Sequence, residues 1–152
     1  INGQIDRLQD KILLWVEDAV ELFFLQVQGS GRVKLPDGSL NPDSQLTLMN
    51  ARVLGPIAGS KDRWALAGDN LLVDFDLSET NLPAGQRLKI GSAILEITPH
   101  PHTGCAKFSR RFGVDALKFV NSPEGRKLRL RGLHAQVIQS GTLAVGDCIE
   151  KV

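Results

Sequence analysis

The 152-residue chain has no tyrosine, one methionine and two cysteines, and aromatic residues make up only 5% of it. Cys105 and Cys148 can form one disulfide at most, which excludes a disulfide-stapled scaffold and favours a reducing compartment. The scarcity of aromatics among the basic residues argues against a nucleic-acid surface built on base stacking. No apolar run reaches roughly 18 residues, so no membrane span is predicted. No basic start leads into an apolar run, so the sequence predicts no signal peptide and a cytoplasmic location.

Charge is distributed unevenly along the chain. Residues 1–80 carry 7 basic and 12 acidic side chains, a net of −5, whereas residues 81–152 carry 11 basic and 5 acidic, a net of +6. This asymmetry predicts an anionic small-molecule partner on the C-terminal half. The alternative is a solvated surface on which like charges happen to cluster. Hydrophobic residues at 42% and charged residues at 23% are typical of a globular domain with a real core.

Short strands separated by glycine turns, with few helices, predict a mainly β (α+β) fold, a small closed or nearly closed β-barrel. Strands are predicted in "ILLWV", "RVKL", "LLVDFDLS", "LRLRGLHAQVIQSG" and "TLAVGDCIEKV", with "PDG" as a turn. The segment "RLKIGSAILEIT" is typical of a hairpin that bends at Gly91. The segments "LTLMNARVLGPI" and "VDALKFVNS" are predicted as short helices. Cys148 lies in an apolar closing strand and is predicted to be a core residue.

The segment "EDAVELFFLQVQGSG" is predicted as a helix. Asp18 and Glu21 have the spacing of a capping box. Val20, Phe23 and Phe24 fall on one helical face. A lone helix and strand cannot bury this aromatic pair, so it is expected to dock on another part of the chain or on a second copy in a homodimer.

The segment "ITPHPHTGCAKFSRRFG" concentrates the reactive residues of the chain. Cys105 is followed by Lys107, Arg110 and Arg111, and nearby cations favour the thiolate form of cysteine. The alternative is an inert, packed cysteine. His100, His102 and Cys105 could also ligate zinc or iron, but a structural zinc site normally has two paired ligand groups, and this sequence shows one. Zinc is therefore not expected.

Arginines are the second candidate set. Arg110, Arg111, Arg126, Arg129 and Arg131 each present a planar fork that suits a phosphate. The alternation in "LRLRG" predicts that Arg129 and Arg131 lie on the same side of a strand. The alternative for each is ordinary surface charge.

Asn121 and three aspartates complete the candidates. Asn121 suits a helix C-cap or a polar contact to a ligand. Asp69, Asp74 and Asp76 have a spacing that could bind a hard cation or form an acid/base pair. The alternative places them on loops and at the barrel rim, with Asp69 fixing a turn after Gly68.

Residues from about 43 to the end resemble a MOSC domain, the β-barrel module at the C-terminus of molybdenum-cofactor sulfurases and in small stand-alone bacterial proteins. The resemblance is carried by "QLTLMNAR", "RWALAGDNLLVDFDLSETNLPAGQRLKIGSAILEIT", "PHTGCAKFSRRFG", "FVNSPEGRKLRLRG" and "VGDCI", in the family's order over about 110 residues. It implies that Cys105 carries sulfur as a persulfide or ligates molybdenum. It further implies a basic pocket for the phosphate or nucleotide of a molybdenum-pterin cofactor, formed by His102, Lys107, Arg110, Arg111, Asn121, Arg126, Arg129 and Arg131.

The resemblance implies a cofactor holder or sulfur carrier rather than a complete enzyme, because desulfurase and reductase partners are absent from this chain. Pyridoxal phosphate is not expected, since only Lys107 is available near the site and nothing supports it as a Schiff-base lysine. One departure concerns the loop: "HTG" stands ahead of Cys105, where some members have a proline-containing turn.

Residues 1–39 resemble a different family. "LLWVEDAVELFFLQVQGSGRVKLPDGS" is similar to a fragment of the MltA-type lytic transglycosylases, which cleave peptidoglycan. The catalytic aspartate of that family lies in a later segment that this chain lacks, so glycan cleavage is not expected. The chain therefore looks like a chimera of a helix–strand fragment, residues 1–40, and a MOSC-like barrel, residues 41–152, in one folded unit. We expect the fragment to pack on or complete the barrel; the alternative function is a non-catalytic chimeric barrel.

Overall fold

The computed structural model describes residues 11–14, 19–22, 35–39 and 41–152. Within these ranges the strands are β1 (Lys11–Leu14), β2 (Ala19–Leu22), β3 (Leu46–Asn50), β4 (Leu71–Asp74), β5 (Arg87–Ile90), β6 (Ala93–Ile97), β7 (Leu133–Gln139), β8 (Gly141–Ala144) and β9 (Ile149–Lys151). The α-helices are α1 (Ala51–Ala58), α2 (Ala106–Phe112), α3 (Val114–Asn121) and α4 (Pro123–Lys127), with 3-10 helices at Pro42–Ser44 and Lys61–Ala67. No helix of these described ranges is long and apolar enough to cross a bilayer.

The strands form a seven-stranded sheet in the order β1-β4-β3-β7-β6-β5-β9, and β2 pairs with β8. The β3–β4 pair is parallel and every other pair is antiparallel. Strands β4 and β9 are five positions apart, which would be about 24 Å in a flat sheet. Both nevertheless contribute to one continuous apolar core. The sheet must therefore curl around that core, and the predicted small, mainly β barrel is confirmed.

The two faces of the sheet bury different clusters. Because side chains alternate along a strand, Leu71 and Val73 of β4 enter the barrel core whereas Leu72 faces the other way. Leu72 joins an outer cluster that includes Phe108 of α2 and Val120 of α3. The helices around Cys105 are thus packed against the outside of the barrel wall.

Residues of the N-terminal fragment add strands to this barrel. Strand β1 pairs with β4 at the edge of the main sheet, and β2 pairs with β8 through Ala19↔Ala144 to Leu22↔Gly141. The helix predicted for "EDAVELFFLQVQGSG" is therefore wrong over Ala19–Leu22, because pairing with β8 outweighs the helical spacing. The rest of that helix, and the predicted strand in "RVKL" up to residue 34, lie outside the described residues.

Three other local predictions need correction. The predicted helix in "LTLMNARVLGPI" divides into β3 and α1, with Asn50 capping α1 by accepting a hydrogen bond from the Arg52 N–H. The "LRLR" segment is a turn after α4, in which Arg129 has a positive φ of 49°, so Arg129 and Arg131 are not neighbours on a strand face. Cys148 is exposed rather than buried, because it precedes β9. The hairpin at Gly91 and the helix in "VDALKFVNS" are confirmed.

Candidate functional site

Cys105 lies at the junction between the loop that follows β6 and the start of α2. Its side chain is exposed. The backbone N–H of Phe108 in the first turn of α2 is the largest influence that lowers the pKa of the thiol below its usual value, and it outweighs the opposing effect of burial. The N–H of Lys107 and the charges of Arg131 and Lys107 act in the same direction. The residue is therefore set up to form a thiolate more readily than an ordinary exposed cysteine.

A buried ion pair lies between the Cys105 loop and the barrel. The side chain of Asp69 is completely buried, with its Oδ2 2.7 Å from Nη1 of Arg131 and its Oδ1 2.9 Å from Nε2 of His102. Burial alone would raise the pKa of the Asp69 carboxyl, but the hydrogen bonds and charges of His102 and Arg131 outweigh burial and hold it below its usual value. An ionised Asp69 thus fixes the His102 ring and the Arg131 guanidinium in place.

Arg131 links this ion pair to the outer cluster. Its Nη2 donates to the carbonyl of Ala67 at 3.0 Å, and its guanidinium lies 5.0 Å from the ring centre of Phe108. Its Nε is buried and has no hydrogen-bond partner among the described residues. A buried N–H without a partner is costly, so this atom is a donor that a bound anion or an ordered water would satisfy.

A cleft of about 250 Å³ opens beside the loop. It is bounded by the loop residues 98–103 on one side and by the segment from α4 to the start of β7 on the other. Its charged and titratable lining residues are Glu79, His100, His102, Arg126, Arg129 and Arg131. Arginine outnumbers carboxylate in this set, so the cleft is suited to an anion.

The predicted cationic residues separate into two groups. Arg126 and Arg129 line the cleft with Arg131; Arg126 Nε donates to the Asn121 carbonyl at 3.0 Å, and burial lowers the pKa of Arg129. Arg110 and Arg111 lie in the last turn of α2, away from the cleft lining. Arg111 donates to the carbonyl of Leu66 at 2.8 Å.

Asn121 and Lys107 do not line the cleft. Asn121 ends α3 and uses its side chain on the backbone of Gly104: Oδ1 accepts from the N–H at 2.8 Å, and Nδ2 donates to the carbonyl at 3.0 Å. Lys107 is exposed in the first turn of α2. Asn121 thus contacts the loop that carries Cys105, while Lys107 contributes charge to the sulfur.

The chain's three histidines meet beside the cleft. The ring of His134 lies 4.8 Å from that of His100 and 4.6 Å from that of His102, between ring centres. Across the described ranges, no cluster of three or more histidine, cysteine or carboxylate side chains has an arrangement that could hold a metal ion. The three rings are in contact through His134, and His102 is the one that also bonds to Asp69.

The remaining two aspartates each have a partner elsewhere in the fold. Asp74 forms an ion pair with Arg52, with Oδ1 2.6 Å from Nε, and the Asp76 side chain accepts from the Ser78 N–H. Asp69 is the one of the three that belongs to the site. Sequence reasoning placed it in a turn and missed its partner, because 62 residues separate it from Arg131 and no local pattern connects them.

Gly132 is a required glycine between Arg131 and β7. Its φ is +113°, and a Cβ there would lie 2.3 Å from the carbonyl oxygen of Leu48 and 3.2 Å from Cδ2 of His102. We expect Gly132→Ala to lower the free energy of unfolding by more than about 1 kcal/mol, as for strained backbone positions. Urea unfolding of both proteins checks this. Gly38→Ala is the control, because Gly38 also has a positive φ but has open space around it; equal losses would show that crowding at Gly132 is unimportant.

Comparison with protein families decides the assignment. The MOSC domain model matches residues 38–150, most of the chain. The chain belongs to the MOSC domain family. A second model, the MltA specific insert domain, matches residues 1–42, so the two matches overlap at residues 38–42. Comparison with curated proteins gave no match.

Solved structures similar to this MOSC domain share its fold at low sequence identity. YiiM from Escherichia coli matches with a TM-score of 0.60 and 20% identity over 93% of this chain and 67% of that one. YiiM from Geobacillus stearothermophilus matches with a TM-score of 0.58 and 17% identity over 74% of this chain and 56% of that one. The YUAD protein from Bacillus subtilis matches with a TM-score of 0.57 and 14% identity, over 93% and 92%. This MOSC domain thus spans about half to two thirds of the YiiM chains.

Proposed function

We propose that this MOSC domain either carries sulfur on Cys105 or binds a molybdenum-pterin-like cofactor. In the second case Cys105 would be a ligand of the molybdenum. The observation that supports this most is that an exposed, thiolate-prone Cys105 follows, two residues after Thr103, the loop that lines an arginine-rich cleft, and that Arg131 both lines the cleft and lowers the pKa of the Cys105 thiol. A thiolate is both the nucleophile of sulfur transfer and a soft metal ligand. A reducing compartment such as the cytoplasm would keep this thiol available.

The residues present fit part of such a cofactor. At about 250 Å³, the cleft is smaller than the roughly 300–1,000 Å³ typical of ligand pockets, so it suits a phosphate-bearing end rather than a whole dinucleotide. Arg126 and Arg129 would hold the phosphate, and the unpartnered Nε of Arg131 is a further donor. When bound, the cofactor would supply metal-centred redox chemistry.

In the sulfur-carrier form of the proposal, the Cys105 thiolate attacks the outer sulfur of a donor persulfide. A new S–S bond forms at Cys105, the donor's S–S bond breaks, and the donor leaves as a thiolate, so no external oxidant or reductant is needed. The donor would be a desulfurase partner, and a reductase partner would serve the molybdenum form. Lys107 and Arg131 would stabilise the anionic persulfide.

The experiment is expression of the protein in cells that make molybdenum cofactor, followed by measurement of bound molybdenum and of persulfide at each cysteine. Wild type and Cys148→Ala should retain molybdenum or a Cys105 persulfide, and Cys105→Ala should lose at least about 90% of it because the ligand is gone. Cys148→Ala is the matched control, since Cys148 is also an exposed cysteine. Background levels in wild type would refute the proposal.

A second candidate function is a non-catalytic barrel. It is favoured by the match of residues 1–42 to the MltA insert, a segment of another family that stands ahead of the MOSC domain. Fold and site need not be retained together in such a chain. The same experiment separates the two, because a non-catalytic barrel gives background molybdenum and persulfide in wild type and in Cys105→Ala alike.

A further inference from the structure

The side chain of Asn121 binds the backbone of the residue immediately ahead of Cys105. It accepts from the Gly104 N–H at 2.8 Å and donates to the Gly104 carbonyl at 3.0 Å. Two opposed hydrogen bonds from one planar amide fix the orientation of the Gly104 backbone, not only its distance from α3. The Asn121 amide thus plays the part that a neighbouring strand would play in a sheet.

A second feature holds the same loop. A Cβ on Gly104 would lie 2.7 Å from Cδ1 of Leu117, 3.1 Å from Cγ2 of Val120 and 3.3 Å from Oδ1 of Asn121. Only a residue without a side chain can approach α3 this closely. The missing Cβ of Gly104 and the paired hydrogen bonds of Asn121 are therefore complementary parts of one contact, which we call the Asn121–Gly104 clamp.

The clamp acts on Cys105 through the chain. Cys105 is extended, with φ −126° and ψ −178°, and its carbonyl accepts from the Ser109 N–H at 3.0 Å at the start of α2. Cys105 is thereby held by the helix on one side and by Gly104 on the other. The position of the Cys105 sulfur is therefore set by the two contacts that hold the backbone on either side of it, and a rotation at Gly104 would move the sulfur relative to α2.

We propose that Asn121 is a positioning residue, whose clamp on Gly104 sets the reactivity of the Cys105 thiol. The inference rests on the proposed function, in which Cys105 is the working group. The position of Asn121 also connects the loop to the cleft, because its backbone carbonyl accepts from Arg126.

The test compares the two cysteines of one molecule. Wild type is treated with iodoacetamide at pH 7, and mass spectrometry gives the alkylation rate of Cys105 relative to that of Cys148, which is also exposed. Asn121→Ala and Gly104→Ala should each lower this ratio roughly 3- to 10-fold, because a loop released from α3 no longer holds the Cys105 sulfur in its exposed position at the start of α2. The double variant should be no lower than the more affected single variant, since both changes remove one contact.

The matched control is Asn81→Ala, which removes another amide-to-backbone bond, from Asn81 Nδ2 to the Asp76 carbonyl at 2.7 Å, outside the cleft lining. It should leave the ratio unchanged. An unchanged or raised ratio in Asn121→Ala overturns the inference even if the melting temperature falls, because lower stability alone indicates a structural role. If the site variants do not fold, hydrogen exchange in wild type decides: a Gly104 N–H that exchanges as fast as an unprotected amide overturns the inference.

The inference and the proposed function fail separately. If the wild-type protein holds neither molybdenum nor persulfide, the proposed function is overturned, but the alkylation ratios of the variants still test the positioning role. A ratio unaffected by the clamp variants overturns the positioning role even if Cys105 carries sulfur.

Discussion

Replacing Asp69 by alanine should lower the free energy of unfolding by about 3–5 kcal/mol, the usual cost of breaking a buried ion pair from one side. The loss is large because Arg131, which is 6% exposed, would keep a buried charge without its counter-ion. His102 would lose the same partner. Urea unfolding monitored by far-UV circular dichroism gives the measurement.

Two further variants make this expectation specific. Glu96→Ala breaks the ion pair with Arg87, whose side chain is 51% exposed, and should cost no more than about 1 kcal/mol. Asp69→Ala combined with Arg131→Met removes both charges and should recover much of the loss, because no buried charge is then left alone. A loss in Asp69→Ala no greater than that in Glu96→Ala would contradict the role assigned to the buried pair.

The same carboxylate predicts a pH dependence. The pKa of Asp69 is lower in the folded protein than in the unfolded chain, where it is about 3.9. Its contribution to stability is therefore complete above about pH 4 and is lost as the pH falls through the folded value. Asp69→Asn should lack this contribution, so its free energy of unfolding should fall less steeply than that of wild type between pH 5 and pH 3. Urea titrations of both proteins at a series of pH values in this range give the measurement. Parallel curves would contradict the depressed pKa.

The sequence predicted the barrel better than it predicted contacts across the chain. Glycine turns and alternating residues are local signals, and they placed the β5–β6 hairpin correctly. "LRLRG" has the alternation of a strand, but the N–H of Leu130 bonds to the Gly125 carbonyl, and this turn outweighs the alternation. The bond between Asp69 and Arg131 spans 62 residues, so only the folded chain reveals it.

The helical pattern around Ala19–Leu22 shows the same limit. The spacing of its apolar residues is that of a helix, yet the segment pairs with strand β8. Secondary-structure preference is weak compared with tertiary pairing, so a short segment next to an open strand can adopt the strand in spite of its pattern. Sequence reasoning could not find that partner, since β8 lies more than 100 residues further along the chain.

Deleting residues 1–40 should lower the free energy of unfolding by at least about 4 kcal/mol. The deletion removes β1 from β4 and β2 from β8, and each lost backbone hydrogen bond is worth about 1 kcal/mol before any loss of apolar burial. A small domain has only about 5–15 kcal/mol in total, so the truncated barrel should be marginal. Deleting residues 1–10 is the control, because it leaves both strands in place. An unfolding transition unchanged by the longer deletion would show that the MltA-like fragment is a passenger.

Truncation should also change the association state. Strand β4 would become an exposed edge, and exposed edges recruit strands from other chains. The truncated protein should therefore show a sedimentation coefficient that rises with protein concentration in sedimentation velocity. The full chain and the 1–10 deletion are measured at the same concentrations as references. A truncated protein that remains monomeric at all concentrations would contradict this expectation.

Single prolines distinguish the strand from the predicted helix without truncation. In an antiparallel pair, successive residues alternate in directing their N–H toward the partner, so only one of Val20 and Glu21 donates to β8. Val20→Pro and Glu21→Pro should therefore differ in unfolding free energy by about 1 kcal/mol or more, with the variant that loses the donor the less stable. A helix interior would be damaged similarly by both, so equal losses would favour the helical pattern over the β2–β8 pair.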